Sequence, residues 1–153
     1  MAENDPLLRV CSLLNKHGAK YLIVGGHACI LHGLVRTTED VDVLVEDGEE
    51  NFRKVLAALS EMEDGAAKEL TPADLAENVV VKIADEVEVD VSRTAWKISY
   101  DDPIASSLEA EIDRVTVPYL DLKTLIASKE TQREQDRADV AQLRRLLNQQ
   151  KEK

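Results

Sequence analysis

Two short stretches decide the fold: YLIVGG at residues 21–26 and EDVDVLVE at residues 39–46. The first is an apolar run that ends in two glycines, which predicts a short buried strand followed by a tight turn. In the second, valines alternate with Asp40 and Asp42, which is typical of a strand with one apolar face. Both carboxylates therefore project from the opposite face, with α-carbons roughly 6.5–7 Å apart.

A second strand with the same alternation follows at residues 87–91, where three valines flank Glu88 and Asp90. If both strands bury their valines in one core, Asp40, Asp42 and Asp90 share the open face of the sheet, with Glu88 as the alternative third acid. Three carboxylates in that position can hold two divalent cations about 3.5–4 Å apart, an arrangement suited to in-line displacement at phosphorus. The other interpretation of each strand, taken alone, is a solvated polar face.

Thirteen residues (27–39) separate the glycine pair, Gly25 and Gly26, from Asp40. A tight turn without side chains exposes backbone N–H groups that a phosphate can approach. Alone, such a pair is most often a plain turn. Next to the acidic strand it predicts that a triphosphate is held by the turn while its metal ions rest on the strand.

The periodicity of apolar residues predicts the order α-β-α-β-α-β-β-β-α-α, with a short helix at residues 27–34 and an irregular stretch around Trp96. We expect an α+β fold: a mixed β-sheet with helices mainly on one face. No linker composition interrupts the chain. The prediction is a single domain over residues 1–153, with a core at about 20–118 and C-terminal helices at about 121–149.

The chain is acidic, with 19 Lys and Arg against 30 Asp and Glu among 153 residues. Residues 1–120 hold 24 of the acids and only 11 of the bases, which disfavours unaided binding to a nucleic acid and suits divalent cations. No stretch reaches the roughly 20 apolar residues of a membrane span, so no membrane partner is expected. Two cysteines and no signal-peptide pattern predict a cytoplasmic protein without a disulfide framework.

The combination Val24-Gly25-Gly26, Asp40-Val41-Asp42 and a later Asp90 resembles the nucleotidyltransferase superfamily whose best-known member is DNA polymerase beta. The stretch RTTEDVD at residues 36–42 is similar to the Arg-x-Thr-x-Asp-(Ile/Val)-Asp motif of AbiEii-type toxin nucleotidyltransferases and their small relatives. A C-terminal pattern of that group is similar to Lys129, Arg133, Asp136 and Asp139. The resemblance covers roughly residues 20–148 and implies a nucleotidyltransferase core followed by C-terminal helices.

The resemblance also implies an activity. Asp40, Asp42 and Asp90 would be catalytic and would bind Mg²⁺, with two ions expected, and an NMP would pass from an NTP to a hydroxyl acceptor. The acceptor stays open among tRNA, a protein and a small molecule. A toxin–antitoxin component of AbiEii type is the role implied, with an antitoxin or a second copy of the chain as protein partner.

Six further residues are predicted to bind substrate. Arg36 either contacts phosphate or pairs with Glu39, and Thr38 shapes the start of the strand. A spacing of four predicts that Lys129 and Arg133 share one helix face beside the triphosphate. Surface salt bridges to Asp136 and Glu130 are the alternative for these two bases. The six residues are Gly25, Gly26, Arg36, Thr38, Lys129 and Arg133.

Two other functions remain open at this point. One is a non-catalytic nucleotide-binding, antitoxin or scaffold module that keeps the fold. The other is an antibiotic nucleotidyltransferase of the aminoglycoside or lincosamide kind, because some of those enzymes resemble the chain locally. The position of Asp90 relative to Asp40 and Asp42 separates the catalytic from the non-catalytic interpretation.

Overall fold

A six-stranded mixed sheet forms the centre of the protein in the computed structural model, which describes residues 5–151. Along the chain its strands are β1 (Tyr21–Val24), β2 (Val41–Val45), β3 (Val80–Ala84), β4 (Glu88–Ser92), β7 (Leu108–Ile112) and β8 (Val115–Tyr119). The order of these strands across the sheet is β3-β4-β2-β1-β8-β7. A separate two-stranded hairpin pairs β5 (Thr94–Ala95) with β6 (Ile98–Ser99).

The described part of the chain also contains six α-helices and short 3₁₀ turns at Ala66–Glu69 and Ile104–Ser106. Among these residues no helix is both long and apolar enough to cross a bilayer. The helices are α1 (Pro6–Lys16), α2 (Gly25–Leu31), α3 (Glu49–Leu59), α4 (Pro72–Glu77), α5 (Leu122–Ser128) and α6 (Glu134–Lys151).

The core lies between the sheet and α1 and α3, which also pack against each other. α1 begins where the Asp5 side chain accepts a hydrogen bond from the Leu8 N–H, with proline at its first position. The hydroxyl of Tyr21 in β1 donates to Asn15 in α1 at 2.8 Å, which fixes the helix against that face. Asn51 in α3 joins the residue before β1 to the residue after β2, since its side chain donates to the carbonyls of Lys20 and Glu46.

The strand register determines which side chains share a face. β2 and β4 run parallel, with Asp42 opposite Asp90, and the neighbouring valines of both strands are buried. β1 runs antiparallel to β2, and Val24 lies opposite Asp42. β3 runs antiparallel to β4 at the edge of the sheet, and places Lys82 opposite Asp90. The acidic face is therefore continuous across β2 and β4 and ends at a lysine.

The mixed α+β fold expected from the sequence is confirmed, and several local expectations are corrected. The helix expected at residues 27–34 is α2 and begins at Gly25, so the two glycines open a helix rather than form a separate turn. The stretch around Trp96 is not irregular, because it contains the β5–β6 hairpin with Trp96 at its tip at φ 58°. The single-domain prediction includes residues 1–4 and 152–153, which lie outside the described part of the chain.

Candidate functional site

Three carboxylates meet on the face of the sheet that α1 and α3 leave free. Asp42 and Asp90 lie opposite each other on adjacent parallel strands, and Asp40 comes directly before β2. All three line one cavity with a volume of about 1140 Å³. The alternation of valine and acid along both strands is what brings side chains 50 positions apart onto one face.

The two glycines make room for side chains of the protein itself. Gly25 has φ 68°, and a Cβ there would lie 2.0 Å from Oδ2 of Asp42. A Cβ at Gly26 would lie 2.5 Å from Oγ1 of Thr38. The pair is thus required because Asp42 and Thr38 pack directly over the start of α2. Both glycines also line the cavity, so their predicted role toward phosphate stays a prediction.

The acidic residues differ in their electrostatic environment. Burial, together with the carboxylates of Asp90 and Asp40, raises the pKa of Asp42 to about 7. Asp40 is more exposed, and hydrogen bonds from Glu88 and then Lys82 hold the pKa of its carboxyl below the usual range. The contact with Asp40 raises the pKa of Glu88. Asp90 therefore lies beside the buried Asp42, whereas Glu88 contacts the more exposed Asp40.

Lys82 is the nearest base to this cluster, and the sequence prediction did not include it. Its Nζ donates to Oδ2 of Asp40 at 3.2 Å and lies 3.5 Å from Oδ1 of Asp90. Oδ1 of Asp90 is buried and has no hydrogen bond. The alternation of residues along β3 was the feature of the sequence that could have indicated Lys82. It does not give the strand register, however, and only the register places Lys82 opposite Asp90.

A second charged cluster is buried in the wall of the cavity. Nζ of Lys129 donates to Asp139 at 2.8 Å and to Asp136 at 3.2 Å. Nη1 of Arg36 donates to the same oxygen of Asp139 at 2.6 Å. Gln135 completes the shell of Asp139 at 2.9 Å, and only 2% of the Asp139 side chain is exposed. Buried charges are stable in this form because every one has a partner of opposite sign or a hydrogen bond.

This cluster corrects three expectations. Arg36 pairs with Asp139, and not with Glu39. Lys129 and Arg133 do not share one helix, because α5 ends at Ser128 and α6 begins at Glu134, so both lie in the connection. Glu130 pairs with Arg144 instead of with either of them. The spacing of four suggested one helix only because nothing local showed that the helix stops.

The remaining predicted residues lie at the cavity as well. Thr38 is near the strand start, where its hydroxyl donates to the Asp40 carbonyl at 3.4 Å. The Arg133 side chain is 78% exposed, and its contact with Asp136 is a long one of 3.9 Å. Its charge is therefore available at the cavity mouth. Trp96 is 52% exposed and also lines the cavity. All nine predicted site residues therefore line one cavity, although their roles remain predictions.

His32 and Cys29, near the site in sequence, are structural. His32 contacts the Leu120 carbonyl at 2.7 Å and stands edge-on to Tyr119. Cys29 is fully buried, and burial raises the pKa of its thiol to about 11.

A comparison with known families shows the family of this chain. A sequence model described as "Nucleotidyltransferase of unknown function (DUF6036)" matches residues 7–149. The chain belongs to this nucleotidyltransferase family. The match includes both glycines, all three carboxylates and the Lys129 cluster of the cavity. No curated protein gives a significant match to the sequence.

A solved structure supports the fold of this family member. The crystal structure described as that of "a putative nucleotidyltransferase" from Thermotoga maritima has a TM-score of 0.55 at 15% sequence identity. The alignment covers 92% of this chain and 89% of that chain. At that identity the likeness shows a shared fold over nearly the whole length of both proteins.

The donor chemistry of the site agrees with a divalent cation, which the superfamily resemblance implies. Carboxylate oxygens are the ligands that Mg²⁺ prefers, and Oδ1 of Asp90 is a buried acceptor without a hydrogen bond. In the present arrangement, however, no group of three His, Cys, Asp or Glu side chains among residues 5–151 is set to hold a metal ion. The three acids fit a divalent cation by the type of their oxygen donors, and the ammonium group of Lys82 lies between two of them.

Proposed function

We propose that this family member is a Mg²⁺-dependent nucleotidyltransferase that moves an NMP from an NTP to a hydroxyl acceptor. The observation that carries the proposal is the pairing of Asp42 with Asp90 on adjacent parallel strands, inside the cavity that also contains Asp40. Carboxylates this close repel one another, and the raised pKa of Asp42 reflects that repulsion together with burial. Divalent cations that enter with the substrate would relieve this repulsion between the carboxylates.

Asp40, Asp42 and Asp90 would hold the metal, as two Mg²⁺ ions. Bound Mg²⁺ would neutralise the triphosphate and align it for displacement at the α-phosphorus. The three carboxylates have oxygen donors of the required kind, and their strands hold two of them in fixed register. Rigid strands position ligands more accurately than loops do.

On the side of the cavity that Lys129 and Arg36 line, a third base remains available to a triphosphate. Lys129 and Arg36 are fixed by Asp139, so they form a rigid wall whose charges are largely neutralised. Arg133 lies at the mouth with most of its side chain in solvent, and it is therefore the base best placed to reach phosphate oxygens. The cavity volume of about 1140 Å³ is sufficient for a nucleotide.

The chemical step balances with the groups of this chain. The acceptor oxygen forms a bond to the α-phosphorus, and the bond from that phosphorus to the bridging oxygen of the β-phosphate breaks. Pyrophosphate leaves with the electron pair of that bond. The proton of the acceptor hydroxyl passes to a carboxylate oxygen of Asp90, whose buried Oδ1 has no other hydrogen bond, and from there to solvent.

The charge of the chain bears on the acceptor. Residues 1–120 hold 24 acids against 11 bases, so a polyanionic acceptor such as tRNA is repelled unless a partner protein adds positive charge. A protein hydroxyl or a small hydroxylated molecule is the acceptor that the electrostatics favour.

Incubation with α-³²P-labelled NTPs, Mg²⁺ and a cell extract tests the proposal. A labelled RNA, protein or small molecule that forms only with the active chain supports it and identifies the acceptor class. Asp42→Asn and Asp90→Asn are expected to abolish labelling, whereas the exposed Asp101→Asn should label like the wild type. Labelling that persists in both cavity variants would contradict the proposed site.

Nucleotide binding without catalysis is the second candidate function, because Lys82 lies within reach of two of the acids. The single tryptophan of the chain, Trp96, lines the cavity and reports occupancy by its fluorescence. A change on addition of MgNTP, with no labelled product in any extract, would favour the binding module. Calorimetry with MgATP and MgGTP tests the site itself, because equal binding by the wild type and Asp42→Asn would contradict a nucleotide site at these acids.

The narrower AbiEii-like role is proposed on the sequence motif. The two halves of that motif, residues 36–42 and 129–139, meet in the structure through Arg36 and Asp139. We propose that the protein is the nucleotidyltransferase component of a toxin–antitoxin pair. Growth arrest on expression that requires Asp42 and is relieved by a co-encoded partner would support this role, and unaffected growth would contradict it.

A further inference from the structure

Lys82 contacts carboxylates from two different segments. Its Nζ is 3.2 Å from Oδ2 of Asp40 and 3.5 Å from Oδ1 of Asp90. Asp90 lies beside it in the β3–β4 register, and Asp40 belongs to the segment that leads into β2. The ammonium group thus joins an edge strand to two of the three acids that line the cavity.

We infer that Lys82 is a built-in counter-ion, whose ammonium group occupies cation space between Asp40 and Asp90, and that a divalent cation binds by displacing it. The inference rests on the proposed function, since it takes these acids as ligands of the metal. It goes beyond that function because it assigns a role to a base outside the predicted site. Lys82 is here a residue that controls metal loading and not a catalytic residue.

Several observations distinguish Lys82 from an ordinary surface ion pair. The surface pair of Lys54 with Glu50 joins one base to one acid, whereas Lys82 lies within 4 Å of two acids. Oδ1 of Asp90 is buried without a hydrogen bond, so Lys82 neutralises it at a distance without satisfying it. This oxygen can still coordinate a divalent cation.

Displacement of Lys82 needs little rearrangement. Its side chain is 52% exposed and sits on β3, an edge strand, so the ammonium can move into solvent without disturbing the core. An exposed ion pair of a flexible lysine is a weak interaction. A compact divalent ion has twice the charge of the ammonium group, so it binds the same carboxylate oxygens more strongly.

Metal binding to matched lysine variants tests the inference. Mn²⁺ affinity, measured by electron paramagnetic resonance, should be about threefold to tenfold tighter in Lys82→Met than in the wild type, because a competing charge is gone. Lys97→Met removes one charge beside Trp96 at the cavity rim, without a carboxylate contact among the described residues, and should change the affinity less than twofold. Lys82→Gln provides a second variant if Lys82→Met does not fold.

A second readout follows Lys82 itself. Acylation of lysines by an activated ester, quantified for each peptide by mass spectrometry, should increase at Lys82 when Mg²⁺ is added to the wild-type protein. Asp40→Asn should increase it without Mg²⁺, because that variant removes the closer acid. Lys97 should label equally in all of these samples.

Equal Mn²⁺ affinity in the wild type and Lys82→Met would overturn the inference, as would metal binding that leaves Lys82 acylation unchanged. Absence of Mn²⁺ binding in every variant would overturn it too, together with the metal part of the proposed function. Tight binding in Lys82→Met without nucleotidyl transfer in any extract would instead count against the proposed function alone.

Discussion

Nη1 of Arg36 donates a 2.6 Å hydrogen bond to Oδ2 of Asp139, which lies 103 positions later in the chain. The same oxygen accepts a hydrogen bond from Lys129 at 2.8 Å. One buried carboxylate therefore balances two bases, and it ties α6 to the segment before β2. Arg36 and Lys129, the two bases that it holds, both line the cavity.

Asp139→Asn should be strongly destabilising. The substitution keeps the shape but leaves Arg36 and Lys129 without their shared charge, which costs about 3 kcal/mol for a buried pair that loses one partner. Urea unfolding measures the difference in the free energy of unfolding. Glu130→Gln, in the exposed pair with Arg144, should change it by less than about 0.5 kcal/mol. Equal effects of the two substitutions would contradict a structural role for the buried network.

Gly25→Ala should be more destabilising than Gly18→Ala, although both glycines have φ 68°. At Gly18 nothing lies within 4 Å of an added Cβ, so that variant measures only the backbone cost, about 1 kcal/mol. At Gly25 the added Cβ would lie 2.0 Å from Oδ2 of Asp42, and the total should exceed about 3 kcal/mol. Thermal or urea unfolding gives both values.

A second substitution isolates the contact behind that difference. Asp42→Ala removes the carboxyl group that the new Cβ would meet, so Gly25→Ala should cost distinctly less in the Asp42→Ala background. The same excess cost in both backgrounds would show that the contact with Asp42 is not its cause.

Asp42→Asn should stabilise the protein in the absence of divalent cations. The change removes a buried charge next to two like charges, a gain of about 1 kcal/mol, or roughly 2–4 °C in melting temperature. Addition of Mg²⁺ should raise the melting temperature of the wild type and leave that of the variant unchanged. Asp101→Asn is the control and should follow the wild type in both conditions. An equal response of the wild type and Asp42→Asn to Mg²⁺ would exclude Asp42 as a ligand.

Asp85 should contribute stability that depends on pH. Burial acts to raise the pKa of its carboxyl, but backbone N–H groups of Ala66, Asp64 and Glu86 outweigh it, so the pKa falls below the ordinary value of 3.8. Because the folded pKa is the lower one, the contribution is complete above pH 3.8 and is lost as the pH falls through the folded pKa.

Asp85→Asn tests that sign. The variant should be about 1 kcal/mol less stable than the wild type at pH 7, and the difference should shrink steadily below about pH 4. Urea unfolding from pH 7 to pH 2.5 measures it, with Asp101→Asn as the control. A difference that stays constant with pH would mean that the hydrogen bonds do not depend on the charge.

Much of the site was predictable because strand alternation is a local property. Valines at every second position of both strands are buried, so Asp40, Asp42 and Asp90 must project from the opposite face of the sheet. The glycine pair was equally visible, but its physical reason was not. Only the packing of Asp42 over Gly25 shows that the pair accommodates a side chain of the protein itself.

The sequence by itself determined the α+β class, the two acidic strands and the motif that places this chain among nucleotidyltransferases, since each depends on the order of nearby residues. Only the tertiary structure decided that Lys82 approaches Asp40 and Asp90, and that Arg36 chooses Asp139 over Glu39. These choices depend on strand register and on where α5 ends, which are set by packing among distant segments. The local pattern of residues determines which face of a strand a side chain occupies, whereas the folded chain determines which ion pairs form.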